Sequence, residues 1–587
     1  MRGLGVAMAG AVVAGLLTAG AAATATPVTA PTLTQASNDA IPTNNTGTTI
    51  QNVTQVETDT FAWGSTVVAA FQVGRTSAGF GAAAIGWSTS TDSGQSWSHG
   101  LLPGLTTSSP NPDPANYPLV VNQSVAYDAR DGEWLIPSVT YLASGSGFHE
   151  KALLVNRSAS GTSWSAPITA VSTNVDKAWG VCDNTSTSPF YGRCYVAYSQ
   201  LDSADALAVV TSADAGATWS PPVLVPDGVG GNATGYNVNP VVRPDGTVVV
   251  VATDVNNGLA GSKLLSFTST DGGATWSQPI PFATVQRHEV TGVRALNKPT
   301  ADVDAAGQVT AVWSDCRFAA ACATNDLVMS TSPDGTTWTQ PRQLPLQPTS
   351  GDADQFDPGV AVAPGTSGST AQVSVVYYTF TSCATTPPCL DADYATSYDG
   401  GQTWSSAYPV NPTPMPISWF AASPRTHCLP GTVGTTCRMV GDYNSVSFLE
   451  GGAVTVLPLA ASAPVGGTFD ETEWGLALPP GFLRPPDPSP GPPPPAVPDT
   501  TITRHPKAKV STHKRRAKVT FAFRSSLTGA GFECRRDAGV WKPCESAVTY
   551  KARKGRHTFA VRATNAGLVD PTPARFAFRV RTLKSDH

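Results

Sequence analysis

Charge is what this chain lacks. Only 13% of its 587 residues are Asp, Glu, Lys or Arg, about half the usual share. That scarcity argues against helix bundles and coiled coils, whose surfaces are built from those residues. Long apolar runs are missing too: past residue 25 no stretch approaches the roughly 20 residues that span a bilayer. Absent as well are the H-E-x-x-H helix, the Walker loop and the G-x-S-x-G elbow, and His288-Glu289 alone is no zinc motif. Turn chemistry, by contrast, is abundant: 54 Gly and 50 Pro accompany 41% hydrophobic residues. That balance supports a sizeable core of many short strands joined by tight turns.

The net charge of −5 conceals a division. Residues 484–498 read RPPDPSPGPPPPAVP, nine prolines in fifteen positions, a semi-rigid extended linker. Residues 499–587 carry 20 Lys and Arg against 6 Asp and Glu, a net of +14; the rest of the chain carries 17 against 36, a net of −19. An acidic body over 26–483 is thus joined to a strongly basic tail domain. At the start, an Ala/Gly/Val/Leu run follows Arg2 and ends in Ala23-Thr24-Ala25, an A-x-A cleavage pattern. The expectation is a secretory signal peptide over 1–25, with a membrane anchor as the alternative, and a mature chain that carries no transmembrane segment.

The ten cysteines fall into five close pairs: Cys182/Cys194, Cys316/Cys322, Cys383/Cys389, Cys428/Cys437 and Cys534/Cys544. An even count in local pairs suits an oxidising compartment, so five loop-closing disulfides are expected. Metal binding is the alternative, but no pair has C-x-x-C spacing or a nearby His to complete a zinc tetrad.

The chain also repeats itself. Ser90-x-Asp92-x-Gly94-x-x-Trp97 recurs around Asp214 and Trp219, Asp271 and Trp276, and Asp399 and Trp404. A copy one residue shorter holds Asp334 and Trp338, and a decayed copy keeps Trp164 without its Asp. In each turn the Asp carboxylate is placed to accept backbone N–H groups, the Gly to take a φ that other residues resist, and the Trp to pack onto neighbouring strands. Each copy follows one alternating strand and precedes another, so it caps a hairpin between the third and fourth strands of a sheet. On these motifs residues 45–480 resemble the Asp-box (BNR-repeat) β-propellers, whose best-known members are sialidases. First-strand entries near Asn52, Tyr117, Lys177, Asn237, Lys298, Gln355 and Tyr443 favour seven blades, with six as the alternative. The tail from Asp499 resembles the bacterial immunoglobulin-like β-sandwich modules of secreted multidomain proteins. The fold class is all-β.

A propeller binds ligands around its axis, where loops enter the innermost strands and where second strands lead into third. Projected onto that geometry, the entries supply Asp176, Lys177, Asn297, Lys298, Asp354, Gln355, Asp442 and Tyr443, and the other loops supply Asp254, Asp315 and Arg317. Such a ring suits a polyhydroxylated ligand or a cation. The competing reading is that these residues satisfy turn backbone groups and pair with one another. The resemblance implies more: a sialidase clamps its substrate carboxylate with three arginines and uses a Tyr nucleophile, an activating Glu and an Asp acid/base. Tyr443, Asp315 and Arg317 are the candidates for such catalysis. The Arg-Ile-Pro signature is missing, with Arg75 nearest; Arg243, Arg425 and Arg438 are the other arginines, and Glu289 and Glu450 the least poor activators.

Three functions follow as expectations. One is a secreted binding propeller that takes extracellular glycans or related polar ligands at its axial mouth. The second is an exo-acting glycoside hydrolase of sialidase type, and the third a disulfide-stapled interaction scaffold. No cofactor is expected, although an axial cation would fit the ring. Nucleic acid is not the expected partner of a −19 body; for the tail, whose densest basic run is His513–Arg516, an acidic envelope polymer is.

Overall fold

A computed structural model describes residues 30–583 apart from 42–48, 77–80, 113–116, 145–146, 255–261, 291, 297, 347–352, 382–387, 424–436, 451, 464–468, 486–496 and 566. The signal-peptide segment, Asn297, Cys383, Cys428 and most of the proline tract lie outside the described residues. The chain divides into two compact units, Met1–Pro485 and Pro486–His587. Among the described residues there is no α-helix; strands and four short 3-10 turns make up the regular structure.

In the first unit the alternating segments fold as antiparallel meanders of up to four strands. Ile50–Trp63, Thr66–Thr76, Ala82–Ser90 and Ser98–Leu101 pair in that order. The same meander recurs from Ala126–Asp128, Val175–Cys182, Tyr236–Val242, Thr300–Val303 and Asp354–Val362. The last group, Ser445–Leu449, Gly452–Ala461 and Asp470–Leu478, takes its fourth strand from the opposite end of the chain, Thr32–Ser37. Pairing the two ends in one sheet ties up an edge that would otherwise be open. The first strands of successive groups touch one another, and Ser445–Leu449 returns to Ile50–Trp63, so the series closes on itself.

The Ser-x-Asp turns lock that series together. Asp92 Oδ1 accepts Ser90 Oγ (2.7 Å) and the Ser96 N–H (2.9 Å), while Oδ2 accepts Ser96 Oγ (2.6 Å). Gly94 N–H donates to Ser90 Oγ at 2.8 Å. The same bonds form at Asp214, Asp271 and Asp399, and at Asp334 they shift back by one residue, as its shorter copy requires. Burial pushes these carboxyls up, but the turn's own hydrogen bonds outweigh it and hold all five below the usual range. Each turn's glycine abuts the group before it: a Cβ on Gly335 (φ 76°) would come within 2.6 Å of Val249. Gly94, in the first group, sits against Val454 and Ala477 of the last. Trp97, Trp219, Trp338 and Trp404 each donate their indole N–H within or beside the turn, whereas the indole N–H groups of Trp164 and Trp276 are buried without a partner.

Three disulfides lie wholly within the described residues: Cys182–Cys194, Cys316–Cys322 and Cys534–Cys544. Cys389 and Cys437 are also disulfide-bonded. The second unit packs a three-stranded sheet and a six-stranded sheet around Val519, Phe521, Phe523, Phe559, Phe578 and Val580. Phe521 and Phe559 stack at 4.0 Å.

Candidate functional site: a buried charge layer

The first strands share an irregularity that decides where charge can go. In four of them the register with the second strand slips, between Val56 and Asp59, Asp176 and Trp179, Tyr236 and Asn239, and Phe356 and Gly359. Inside each slip lies one non-glycine residue in the left-handed region: Glu57 (φ 61°), Lys177 (53°), Asn237 (54°) and Asp357 (47°). Asn122 (53°) occupies the matching place in the second group. An extra residue re-aims its side chain out of the ladder, and each left-handed residue costs about 1–2 kcal/mol. Strain repeated at equivalent positions marks a site built for something other than sheet stability.

These residues gather a charge layer. Asp442 is the hub: Arg294 donates to it bidentately, Nε to Oδ1 and Nη2 to Oδ2 at 2.7 Å each, and Lys177 Nζ donates to Oδ2 at 2.6 Å. Arg75 lies 3.9 Å from Glu57 and donates to Gln72 Oε1 at 2.6 Å, and Gln72 in turn donates to Glu57. Lys298 Nζ sits 3.7 Å above the Trp179 ring and 3.9 Å from that of Tyr443. Those two rings meet edge to face at 4.9 Å. Lys177, with an 18% exposed side chain, is the member that reaches solvent; Asp442 is 1% exposed.

Burial sorts the protonation states. Burial pushes Asp442 up, but Arg294 and Lys177 outweigh it and hold the carboxyl well below its ordinary range. Glu57 is raised by burial and then by Asp442, against the pull of Arg75. Asp357 is driven far up by burial, and neither carboxylate oxygen has a hydrogen-bond partner. Lys298 is pulled down to about 7 by burial and by Lys177. The layer thus sets three cations, Arg75, Lys177 and Arg294, against Asp442, while Glu57 and Asp357 are both shifted toward their neutral forms.

Two residues past this layer begins a cavity of about 500 Å³ to which all the meanders contribute, with Asp59, Trp179, Asn239 and Asn444 at the layer end and Asp302 farther along. Asp59 accepts the Val125 N–H at 2.7 Å and is raised by burial to about 7. Asp302 accepts the Val303 and Val362 amides and is raised to about 6 by the same cause.

The sequence-derived candidates separate into groups. Lys177, Lys298, Asp442 and Tyr443 come together, with Asp176 alongside, where it accepts Asn122 Nδ2 at 2.5 Å. Asp354 and Gln355 form a second cluster: Asp354 Oδ1 accepts His288 Nδ1 (2.9 Å) and the Asn325 N–H (2.8 Å), and Gln355 Oε1 accepts the Leu327 N–H. Asp254 hydrogen-bonds through its N–H to Lys263 and enters neither cluster. Asp315 and Arg317 pair with each other, Nε to Oδ1 at 2.9 Å and Nη2 to Oδ2 at 2.7 Å. Their other bonds run to Trp313, Gln286 and Thr284, not to Tyr443. Tyr443 spends its hydroxyl on the Gln123 carbonyl at 2.8 Å, and burial raises it far above an ordinary phenol. Arg243 clasps Gly307, Pro333 and Asp245 in a turn, and Arg438 donates to the Phe420 carbonyl. Glu57, Arg294 and Asp357 escaped sequence reasoning. No group of three or more His, Cys, Asp or Glu among the described residues is arranged to hold a metal ion.

No family model matches this chain, and no curated protein does. Among solved structures it is similar to the NanB sialidase of Streptococcus pneumoniae, at 12% identity and a TM-score of 0.39 over 57% of this chain and 66% of that one. A Hadza microbial sialidase is similar at 17% identity and 0.37, over 55% and 63%. A PL25 ulvan lyase is similar at 10% and 0.41, over 76% and 95%. At these similarities function has to come from the chain's own geometry.

Proposed function

We propose that this chain is a secreted seven-bladed Asp-box propeller with an immunoglobulin-like tail module, and that it binds a carboxylate-bearing extracellular glycan at the axial end where the first strands begin. One observation carries this reading: three cations, Arg75, Lys177 and Arg294, gather around Asp442, and burial raises the two other carboxyls there, Glu57 and Asp357. Lys177, which reaches solvent, is placed to offer its remaining N–H donors to a ligand carboxylate. The neighbouring Trp179 edge and the amides of Asn122 and Asn237 suit a polyhydroxylated body.

The second reading is a hydrolase with Tyr443 as nucleophile. A nucleophilic phenol needs a base that takes its proton and an environment that lowers its pKa. Tyr443 has a backbone carbonyl as acceptor and a pKa raised by burial, Glu57 and Asp59, so the same geometry makes it a wall of the site. Titration calorimetry with sialyl, glucuronyl and neutral oligosaccharides tests the proposal. Acidic sugars should bind, and Lys177→Ala should weaken them on the order of tenfold, the worth of one charge-assisted hydrogen bond. Binding of neutral sugars alone, or an unchanged Lys177→Ala variant, would sink it. Turnover of a fluorogenic sialoside that vanishes in Tyr443→Phe would favour the hydrolase instead.

A further inference from the structure

The basic tail module concentrates charge on residues other than those of the axial layer. Its larger sheet runs Lys509–Thr512, Ala574–Thr582, Gly555–Asn565, Gly531–Arg536 and Lys542–Cys544. One face of it faces the core through Phe559, Val561, Phe578 and Val580. The register fixes what the other face shows. Lys509 stands opposite Arg579, and Arg579 opposite Arg556, three exposed cations in one row across three strands. Four residues along the same strand, Arg575 lies opposite Ala560, and Ala560 opposite Arg535, which makes a second cationic row. Between the rows the floor is Ala577 and Thr558. At about 3.4 Å per residue the rows lie about 13–14 Å apart; neighbouring cations of the first row are one strand spacing of about 4.8 Å apart, and Arg575 and Arg535, with Ala560 between them, are two spacings apart.

Like charges directly opposite one another destabilise a sheet. Among the described residues none of Lys509, Arg556, Arg575 or Arg579 has a carboxylate within salt-bridge distance; the ion pairs of this module involve Arg536, His557 and Arg562 instead. Solvent and salt screen part of this repulsion between exposed side chains, and a bound polyanion would relieve more of it.

We propose that this face is the docking surface for a linear acidic polysaccharide, laid in the small-residue track between the two cationic rows. The charge is complementary, and arginine predominates, the side chain whose planar fork matches carboxylate and sulfate oxygens. A sugar chain whose acidic groups alternate sides meets both rows at once, with its hydroxyls over Thr558. The floor between the rows, Ala577 and Thr558, carries no aromatic side chain on which a nucleic-acid base could stack, and Trp541, beside the second row, lies under the Arg535 and Arg562 guanidiniums at 4.6 and 4.4 Å.

The test measures binding of the full chain to heparin and polygalacturonate, with neutral dextran, oligo-dT and inorganic polyphosphate as comparators at matched charge and salt. Replacing both Arg556→Thr and Arg579→Thr should weaken the acidic polysaccharides on the order of tenfold or more. It should also lower the slope of log affinity against log salt by about 2, one for each cation removed. The same pair should raise the melting temperature of this module, which a purely structural role would not do. Arg556→Lys with Arg579→Lys should keep the salt slope and lose part of the affinity. Lys518→Thr with Arg524→Thr, exposed on the smaller sheet, should leave affinity within about twofold. Equal losses from the two Thr pairs would mean diffuse charge and overturn the site. Tighter binding of oligo-dT or polyphosphate than of either polysaccharide would overturn the ligand class, and a lowered melting temperature in Arg556→Thr/Arg579→Thr would mark the row as structural.

Discussion

Lys298 is the most informative residue to replace. The residue is 8% exposed, and its ammonium lies against the Trp179 and Tyr443 rings at 3.7 and 3.9 Å. Among the described residues no carboxylate comes within salt-bridge distance of it. Burial pulls its pKa from 10.5 to about 7. Such a shift corresponds to about 5 kcal/mol of disfavoured charge at neutral pH. The two ring faces favour the ammonium by about 1–3 kcal/mol together, which leaves a net penalty of about 2–4 kcal/mol. Lys298→Met fills the same slot with an apolar chain, so it should stabilise the protein by that amount at pH 7. The pH dependence carries the sign. Between about 7 and 10.5 the unfolded chain holds a proton on this lysine that the folded chain has lost, so wild-type stability rises with pH across that window. Urea denaturation of both proteins at steps from pH 6.5 to 10.5 should therefore show the advantage of Lys298→Met shrinking toward zero. A constant difference, or a variant less stable than wild type at pH 7, would refute the account of a desolvated cation.

Asp442→Asn leaves Arg294 and Lys177 buried against a neutral amide and should cost about 3–5 kcal/mol by the same denaturation assay; a loss under 1 kcal/mol would mean that the hub is not needed. Gly335 and Gly365 share a φ of 76°, but a Cβ on the first meets Val249 at 2.6 Å and on the second meets nothing within 4 Å. Gly365→Ala should cost about 1 kcal/mol of backbone strain, and Gly335→Ala about 1–3 kcal/mol more for the overpacked clasp; equal losses in thermal melts would remove the turns from the closure of the series. Glu473 accepts Thr58 Oγ1 at 2.7 Å and is raised by burial to about 8. Between about 4.5 and 8 the folded chain holds a proton there that the unfolded chain has released, so stability falls as pH rises, by about 5 kcal/mol in all. Glu473→Gln should flatten that fall, and a variant with the wild-type slope would assign the dependence to other groups.

The architecture was legible because its signals are local. Ser90, Asp92, Gly94 and Trp97 sit within eight residues, and the hydrogen bonds among the first three close inside one turn. Copies at such spacing can be read without knowing what lies across the fold. The division at the proline tract and the close cysteine pairs were local in the same sense. The candidate site is the opposite case. Asp442 meets Lys177 across 265 residues and Arg294 across 148, and no motif spans such distances. Residue type alone did not give the pairing either: Asp315 and Arg317, two residues apart, bond to each other.

A usable signal was nevertheless present. Glu57, Asn122, Lys177, Asn237 and Asp357 follow one another by 65, 55, 60 and 120 residues, one repeat or two; four of them lie in the register slip of a first strand, and Asn122 lies just ahead of another. Aligning the repeats on those strands instead of on the tryptophan turns would have placed Glu57 and Asp357 in the layer beside Lys177. In a closed series of repeats, equivalent positions converge on the common axis whatever residue occupies them. Polar residues at such a position are brought together by the closure itself, which packs them more tightly than their solvation favours. The raised carboxyls of Glu57 and Asp357 and the lowered ammonium of Lys298 are the electrostatic signature of that crowding, and Asp442 escapes it because two cations, Arg294 and Lys177, hold its carboxyl ionised.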